Sequence, residues 1–262
     1  MMSHKVPVDK EQIINEFSNV GDVAGFLDKT QKFLDFYSEK SYESYVRTRI
    51  PEVEKVYGVP ILVLHIIAKM VGEFGDRLPG ISEYLIRKLW QKKTREERII
   101  ACEALVHCFA VDRDMAMTLI LEFIPDLDNR EICDMMACVG LKPYSLQYPK
   151  VILRMIVTWI KSPNPWVRRF GVMSLIPMAR RKELLPLDPY FIILKRVMKD
   201  KDNMVGRAIS RVLREITPKD EFRVAGFLEV FARDPDPSTI VIIKEGSKKL
   251  NSDLRNSLMK IL

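Results

Sequence analysis

The stretch Ser162–Arg181, SPNPWVRRFGVMSLIPMARR, carries the clearest structural signal in the chain. Asn164 can cap a helix, and Pro165 suits the first helical turn, where its missing N–H is no loss. Apolar residues then recur with helical spacing between Val167 and Ala179. This spacing predicts one helix with a wide apolar face that packs against neighbouring helices.

The first turns of this predicted helix also carry an aromatic residue and two cations. Trp166 and Arg169 are three residues apart and share a face, and Arg168 lies beside them. Guanidinium groups next to an aromatic ring at the positive end of a helix predict an anion site. The alternative is structural, with Trp166 packed between helices and the arginines on the surface.

The rest of the chain repeats the same pattern of helices and short turns. No segment alternates strictly between apolar and polar residues, so no β-strand is predicted. Helical segments pair at a spacing of about 35–40 residues, as in HEAT-like repeats. We therefore predict an all-α fold, a curved solenoid of stacked antiparallel helix pairs of the HEAT-like or ARM-like kind. Residues 1–262 are expected to form one domain, in which residues 1–50 can serve as an N-terminal cap.

Several local features are specific enough to check against the structure. Asn129–Val139 and Leu146–Ile160 each predict a single helix, and Gly75–Gly80 predicts a turn. Thr94 with Glu97 predicts a capping box at the start of a helix.

The composition limits the class of protein. No apolar run is long enough to cross a membrane, and the first residues lack the apolar core of a secretory signal. The four cysteines show no C-x-x-C spacing, so we expect reduced, mostly buried thiols in a cytoplasmic protein. They are Cys102, Cys108, Cys133 and Cys138.

Positive charge is concentrated in one part of the chain. The net charge is +7, but residues 150–223 contain 17 Lys and Arg against 7 Asp and Glu, a local net charge of +10. A local basic excess favours a phosphate-bearing partner such as nucleic acid. A solvated helix face and an acidic protein partner are the alternatives.

Other common chemistries lack their sequence signatures. Phosphate-binding glycine loops, the G-x-S-x-G nucleophile turn and the H-E-x-x-H metal motif are all missing. The three histidines are scattered, and no His/Cys cluster has metal-ligand spacing. We therefore expect no metal and no cofactor.

Four stretches together resemble the HEAT-like DNA alkylation-repair glycosylases known as the AlkD family. Their order and separation over about residues 10–250 support the resemblance more than any single motif does. The stretches are Lys55–Pro60, Arg95–Arg98, Asn129–Asp134, and Trp166–Arg169 with Ala208–Glu215 after it.

The resemblance implies an activity and a partner. Such enzymes remove N-alkylated purines from double-stranded DNA by cleaving the glycosidic bond, without a metal or a diffusible cofactor. A basic surface contacts the DNA backbone, and a carboxylate, an arginine and two tryptophans line the cleft. We accordingly expect double-stranded DNA as the partner, no membrane association, a monomer, and association with the nucleoid when DNA is bound.

The family's site residues transfer unevenly to this chain. The resemblance places the carboxylate at Asp134 and the arginine at Arg169. The two tryptophan positions hold Arg130 and Arg211. A carboxylate can stabilise the positive sugar that forms during cleavage, and a guanidinium can hold a phosphate. Two additional cations would favour phosphates but repel a cationic base.

Two interpretations of the site therefore stay open. In the first, Asp134 and Arg169 are catalytic, and the other predicted residues contact DNA. In the second, the same surface binds DNA of unusual structure, or a protein, without catalysis, and Asp134 merely pairs with Arg130 four residues earlier. The predicted DNA-binding residues are Trp166, Arg168, Arg130 and the helical stripe Arg207, Arg211 and Arg214.

Overall fold

The computed structural model describes residues 7–77, 80–181 and 186–262. All regular secondary structure in these residues is helical, which confirms the predicted all-α class. The described residues divide into two compact units, one ending at Leu141 and the other beginning at Lys142. That residues 1–262 form a single domain with an N-terminal cap stays a prediction.

The first unit contains eight helices and a π turn among its described residues. They are α1 (Lys10–Ser18), α2 (Val23–Phe36), α3 (Lys40–Arg49), α4 (Ile61–Arg77), α5 (Ile81–Gln91), α6 (Arg95–Val111), α7 (Arg113–Phe123), α8 (Arg130–Met135) and the π turn Met136–Gly140. Helices α1, α4, α6 and α8 pack side by side in one layer, and α2, α5 and α7 form the second.

The second unit repeats the two-layer arrangement. Its described helices are α9 (Lys142–Gln147), α10 (Pro149–Trp159), α11 (Pro165–Met173), α12 (Ile176–Ala179), α13 (Asp188–Val197), α14 (Asn203–Ile216), α15 (Glu221–Ala232), α16 (Pro237–Gly246) and α17 (Ser252–Ile261). Helices α11, α14 and α16 form one layer, and α10, α13, α15 and α17 form the other.

A regular series of helix caps reveals the internal repeat. Five side chains accept backbone N–H groups at the starts of α6, α8, α11, α14 and α16. Successive caps are 35, 35, 38 and 34 residues apart, close to the predicted pair spacing. The cap spacing therefore recurs in both units, although sequence self-similarity has become weak. The caps are Thr94, Asn129, Asn164, Asp202 and Asp236.

Three of the predicted helices need correction. The helix after Pro165 ends at Met173, because Pro177 has no N–H to donate to the Met173 carbonyl and its ring clashes there. The predicted helix Leu146–Ile160 is two helices, since Tyr148 precedes Pro149 and adopts a non-helical conformation. The predicted helix Asn129–Val139 ends in the π turn, where the Leu141 N–H donates to the Met136 carbonyl at 2.8 Å.

Two other local predictions have mixed outcomes. Helix α4 continues to Arg77, so the predicted turn at Gly75 starts too early, and its residues 78–79 lie outside the described part. One half of the predicted capping box is seen: the Glu97 N–H donates to the Thr94 hydroxyl oxygen at 3.3 Å. The Thr94 hydroxyl also donates to the Glu97 carboxylate at 2.5 Å.

Candidate nucleic-acid interface

The start of α11 forms as the sequence predicts. The Asn164 side chain accepts the Trp166 N–H at 2.9 Å, and Pro165 is the first helical residue. Trp166 is half-buried at this end of the helix. The cap therefore fixes the direction in which α11 presents its first turn, where Trp166 and both arginines lie.

Arg168 holds α11 against the turn that precedes α14. Its guanidinium donates to both carboxylate oxygens of Asp200, at 2.7 and 3.0 Å. The third nitrogen donates to the Ser162 and Pro163 carbonyls at 3.0 Å each. The hydrogen bonds that Arg168 donates to Asp200 raise the pKa of Arg168 further above its usual range. A phosphate at this position would compete with Asp200 for the same guanidinium.

Arg169 lies deeper than its neighbour. It is 5% exposed, and its Nη1 donates to the Met204 carbonyl in the first turn of α14 at 2.6 Å. Both arginines at the start of α11 therefore join this helix to the start of the next helix in the layer. That Arg169 also contacts a phosphate stays a prediction.

The arginine stripe on α14 has one outward member and two that are half-buried. Arg207 is exposed and forms no ion pair or hydrogen bond with the residues that the structure describes. Arg211 is half-buried, and the Arg214 Nη1 donates to the Glu245 carbonyl at 2.9 Å. Arg207 is therefore the member of the stripe best placed to meet a phosphate from solvent.

Arg130 and Asp134 lie on α8 in the first unit. The Arg130 Nη2 donates to the Arg49 carbonyl, the last of α3, at 2.5 Å. Asp134, one turn later, is half-buried just before the π turn. Turns of this kind often accompany functional sites because the inserted residue redirects the side chains around it. Since Asp134 and Arg169 belong to different units, their proximity stays a prediction.

Three of the stretches that carry the family resemblance meet in the first unit. The Glu96 carboxylate is fully buried and accepts the N–H groups of Tyr57 and Gly58 at 3.0 and 3.1 Å. The Arg95 guanidinium donates twice to Glu131, at 2.6 and 2.8 Å. Burial works against the charge of Arg95, but the carboxylates outweigh it and raise the pKa of that side chain. The motif residues therefore tie α6 to α8 and to the segment before α4.

An aromatic and basic group beside Arg130 is not among the residues predicted from the sequence. Tyr42, Tyr45 and Arg49 lie on successive turns of one face of α3. The rings of Tyr42 and Tyr45 stack at 6.0 Å, and the Arg49 guanidinium lies 5.0 Å from the Tyr45 ring centre. Their spacing of three and four residues indicates a shared helix face in the sequence. Because α3 is only ten residues long, it shows too few repeats of that spacing for the face to stand out.

The described residues give the state of the thiols, of the potential metal ligands and of the apolar helices. The four cysteines are free thiols, and burial raises the pKa of Cys108 to about 11, so its thiol stays protonated. No three potential ligands among His, Cys, Asp and Glu cluster in the described part of the chain. Within the same residues, no helix combines the length and the hydropathy that crossing a bilayer requires.

Comparison with known proteins identifies the family. Residues 32–250 match the family model described as DNA alkylation repair enzyme. The chain belongs to the DNA alkylation repair enzyme family. This membership supports a role in DNA repair, with DNA as the corresponding partner. None of the curated proteins matches the sequence significantly.

A solved structure agrees with this membership at the level of the fold. The fold is similar to that of a protein from Enterococcus faecalis described as a predicted DNA alkylation repair enzyme, with a TM-score of 0.69 and 14% sequence identity. The match covers 84% of this chain and 99% of the other. At this identity the similarity extends to the helical architecture and not to individual site residues.

Proposed function

We propose that this member of the DNA alkylation repair enzyme family hydrolyses the glycosidic bond of N-alkylated purines in duplex DNA. The observation that carries the proposal is the family match over residues 32–250. The proposal assigns the role of the family's carboxylate to Asp134, as the sequence resemblance implies. Asp134 is half-buried on α8, a setting in which a carboxylate interacts with a developing charge more strongly than in bulk water.

The proposed reaction needs little assistance from the protein. An N-alkylated purine is already cationic, so its bond to the sugar C1′ breaks with the electron pair leaving on the base, which becomes neutral. Water adds to C1′ and releases a proton to solvent. Asp134 stabilises the positive charge that develops on the sugar and orients the water.

The basic residues of the second unit provide the grip on DNA in this proposal. Arg207 and Arg211 on α14 contact phosphates, and the proposal assigns Trp166, at the start of α11, to the same contact surface. Arg168 and Arg169 hold α11 and α14 together through Asp200 and Met204, which keeps the surface in place. Phosphate contacts of this kind position a duplex without reading its sequence.

One observation favours a second candidate function, binding of DNA of unusual structure without excision. Arg130 replaces a tryptophan of the family pattern, and its guanidinium is fixed on the Arg49 carbonyl. Arg211 replaces the other tryptophan. Two cations in place of two aromatic rings reduce the attraction for a cationic base and retain the attraction for phosphates.

Release of free base distinguishes the two candidates. Purified protein is incubated with methylated duplex DNA, and released purines are separated by chromatography. If the protein excises bases, the wild type releases free alkylpurine and the Asp134→Asn variant releases none. The duplex affinity of the variant should stay within about twofold of wild type, because Asp134 does not bind a phosphate. Asp114→Asn, whose carboxylate is 95% exposed on α7, is the matched control and should release base normally.

Each alternative outcome has a distinct meaning. Undiminished release by Asp134→Asn would refute the catalytic role of this carboxylate. No release by the wild type, together with tight and salt-sensitive DNA binding, would favour the non-catalytic function. A wild type that binds no DNA would exclude both.

A further inference from the structure

Helix α3 carries a column of planar side chains that the proposed excision reaction does not use. The Tyr42 and Tyr45 rings are 6.0 Å apart with their planes 17° from parallel. Arg49, one turn beyond Tyr45, places its guanidinium carbon 5.0 Å from the Tyr45 ring centre. Because these residues follow one another along one helix face, Tyr42 and Arg49 lie on opposite sides of Tyr45.

The inner end of this α3 column is anchored in the protein. The Arg95 guanidinium lies 5.9 Å from the Tyr42 ring centre, and Arg95 is only 4% exposed. Glu131 and Glu96 hold that guanidinium with three hydrogen bonds between 2.6 and 3.1 Å. A fixed inner end limits the positions that Tyr42 and Tyr45 can take, so the stack is ordered before any ligand arrives.

The outer end of the column is open to solvent. Tyr45 is 44% exposed, and Arg49 is exposed beyond it. The nearest carboxylate on α3 is Glu43, which accepts the Arg47 Nε at 2.8 Å on the adjacent face. The positive charge of Arg49 is therefore available to an anionic ligand.

Arg130 connects the column to the predicted DNA surface. Its guanidinium donates to the Arg49 main-chain carbonyl, so the start of α8 lies beside the end of α3. Asp134 is one helical turn from Arg130 on the same helix. A DNA strand bound at α8 could therefore extend to α3 and place one of its bases on the outer end of the column.

We propose that the α3 column, ending in Tyr45 and Arg49, binds an unpaired base of a single-stranded segment that adjoins the duplex. The side chains of the column favour this partner for two reasons. Guanidinium planes and tyrosine rings stack on bases, and the positive charge of Arg49 complements the phosphate beside the base. This inference rests on the proposed DNA binding and deepens it, since duplex bases are already stacked and have no free face to offer.

The test compares two DNA ligands with the intact protein. One is a blunt duplex, and the other is the same duplex with a short single-stranded tail that contains the fluorescent base 2-aminopurine. The wild type should bind the tailed duplex more tightly and change the fluorescence of the tail. Tyr45→Ala and Arg49→Lys should each lose about tenfold of the tailed-duplex affinity, with blunt-duplex affinity unchanged.

Arg49→Lys separates stacking from charge. Lysine keeps the positive charge but has no plane, and the Arg130 hydrogen bond to the residue 49 carbonyl does not depend on the side chain. Arg47→Lys on the same helix is its control. Tyr84→Ala is the control for Tyr45→Ala, because Tyr84 is 49% exposed with the Lys88 ammonium 5.2 Å from its ring centre.

The outcomes separate this inference from the proposed function. If the α3 variants match their controls on the tailed duplex while blunt-duplex binding is intact, the column is not a base-binding site, and the proposed function is untouched. If Arg49→Lys keeps full affinity and only Tyr45→Ala loses it, the planar guanidinium is not the contact and the inference fails. A wild type that binds neither ligand overturns both.

Discussion

At the scale of single residues, Gly58 shows how one backbone conformation supports the buried polar network. Gly58 has a φ of +77°, and its N–H donates to the Glu96 carboxylate at 3.1 Å. A Cβ at this position would meet the Glu39 carbonyl oxygen at 2.5 Å. Only glycine therefore allows the segment before α4 to approach both α3 and the start of α6.

We predict that Gly58→Ala lowers the free energy of unfolding by about 3 kcal/mol or more, because left-handed strain adds to a backbone clash. Gly80→Ala is the matched control. Gly80 has a φ of +79° but nothing within 4 Å of the added Cβ. Gly80→Ala should therefore lower the free energy of unfolding only by the left-handed strain, about 1–2 kcal/mol. Urea unfolding of both variants measures the difference, and equal losses would show that the contact with Glu39 has no effect.

At the scale of elements, the caps determine where the helices of one layer in each unit begin. Asp236 illustrates the electrostatics of a cap at the start of α16. Its Oδ1 accepts the Ser238 hydroxyl at 2.6 Å and the Thr239 N–H at 2.9 Å. These hydrogen bonds lower the pKa of Asp236 from 3.8 to about 2, and the bond from the Ser238 hydroxyl has the largest effect.

We predict that the Asp236 carboxylate titrates near pH 2, and that Ser238→Ala moves the midpoint toward 3.8 by removing the strongest hydrogen bond. Because the folded pKa lies below the unfolded one, the stabilisation is present above pH 3.8 and is lost as the pH falls through 2. NMR titration of the side-chain carboxyl measures the midpoint. Ser252→Ala on α17 should leave it unchanged, and a Ser238→Ala midpoint still near 2 would refute the assigned cause.

At the scale of the whole molecule, the number of basic residues overstates the number of cations available to DNA. Residues 150–223 contain 17 Lys and Arg, but several of their guanidinium groups are engaged within the second unit. Arg168 binds Asp200, and Arg180 donates to both oxygens of Glu215 at 2.8 and 3.1 Å. The second unit thus uses part of its positive charge to join neighbouring repeats.

We predict that Arg207→Ala weakens DNA binding and lowers the slope of log K against log salt concentration by about 1, as the loss of one phosphate contact requires. Arg168→Ala should instead lower Tm more than affinity, because it leaves the Asp200 carboxylate, 8% exposed, without its guanidinium. Affinity at several salt concentrations and thermal unfolding measure the two effects. Arg233→Ala, 71% exposed on the end of α15, is the control for Arg207.

The sequence by itself determined the helical class, the caps Thr94 and Asn164, and the approximate repeat spacing. Asn164 and Pro165 start α11 as predicted, because capping depends on the local chain alone. Pro177 stands in the same stretch, but apolar periodicity continues past it and predicts a helix that reaches Ala179.

Only the tertiary structure decided what the charged residues do. Spacing placed Arg168 and Arg169 at the start of a helix but could not reveal Asp200 or the Met204 carbonyl, which come from the next repeat. The same holds for Arg130 and the Arg49 carbonyl, 81 residues apart in the chain. Caps and periodicity depend on residues that are close in the sequence. The hydrogen-bond partner of a guanidinium depends instead on which groups the packing of distant helices places near it.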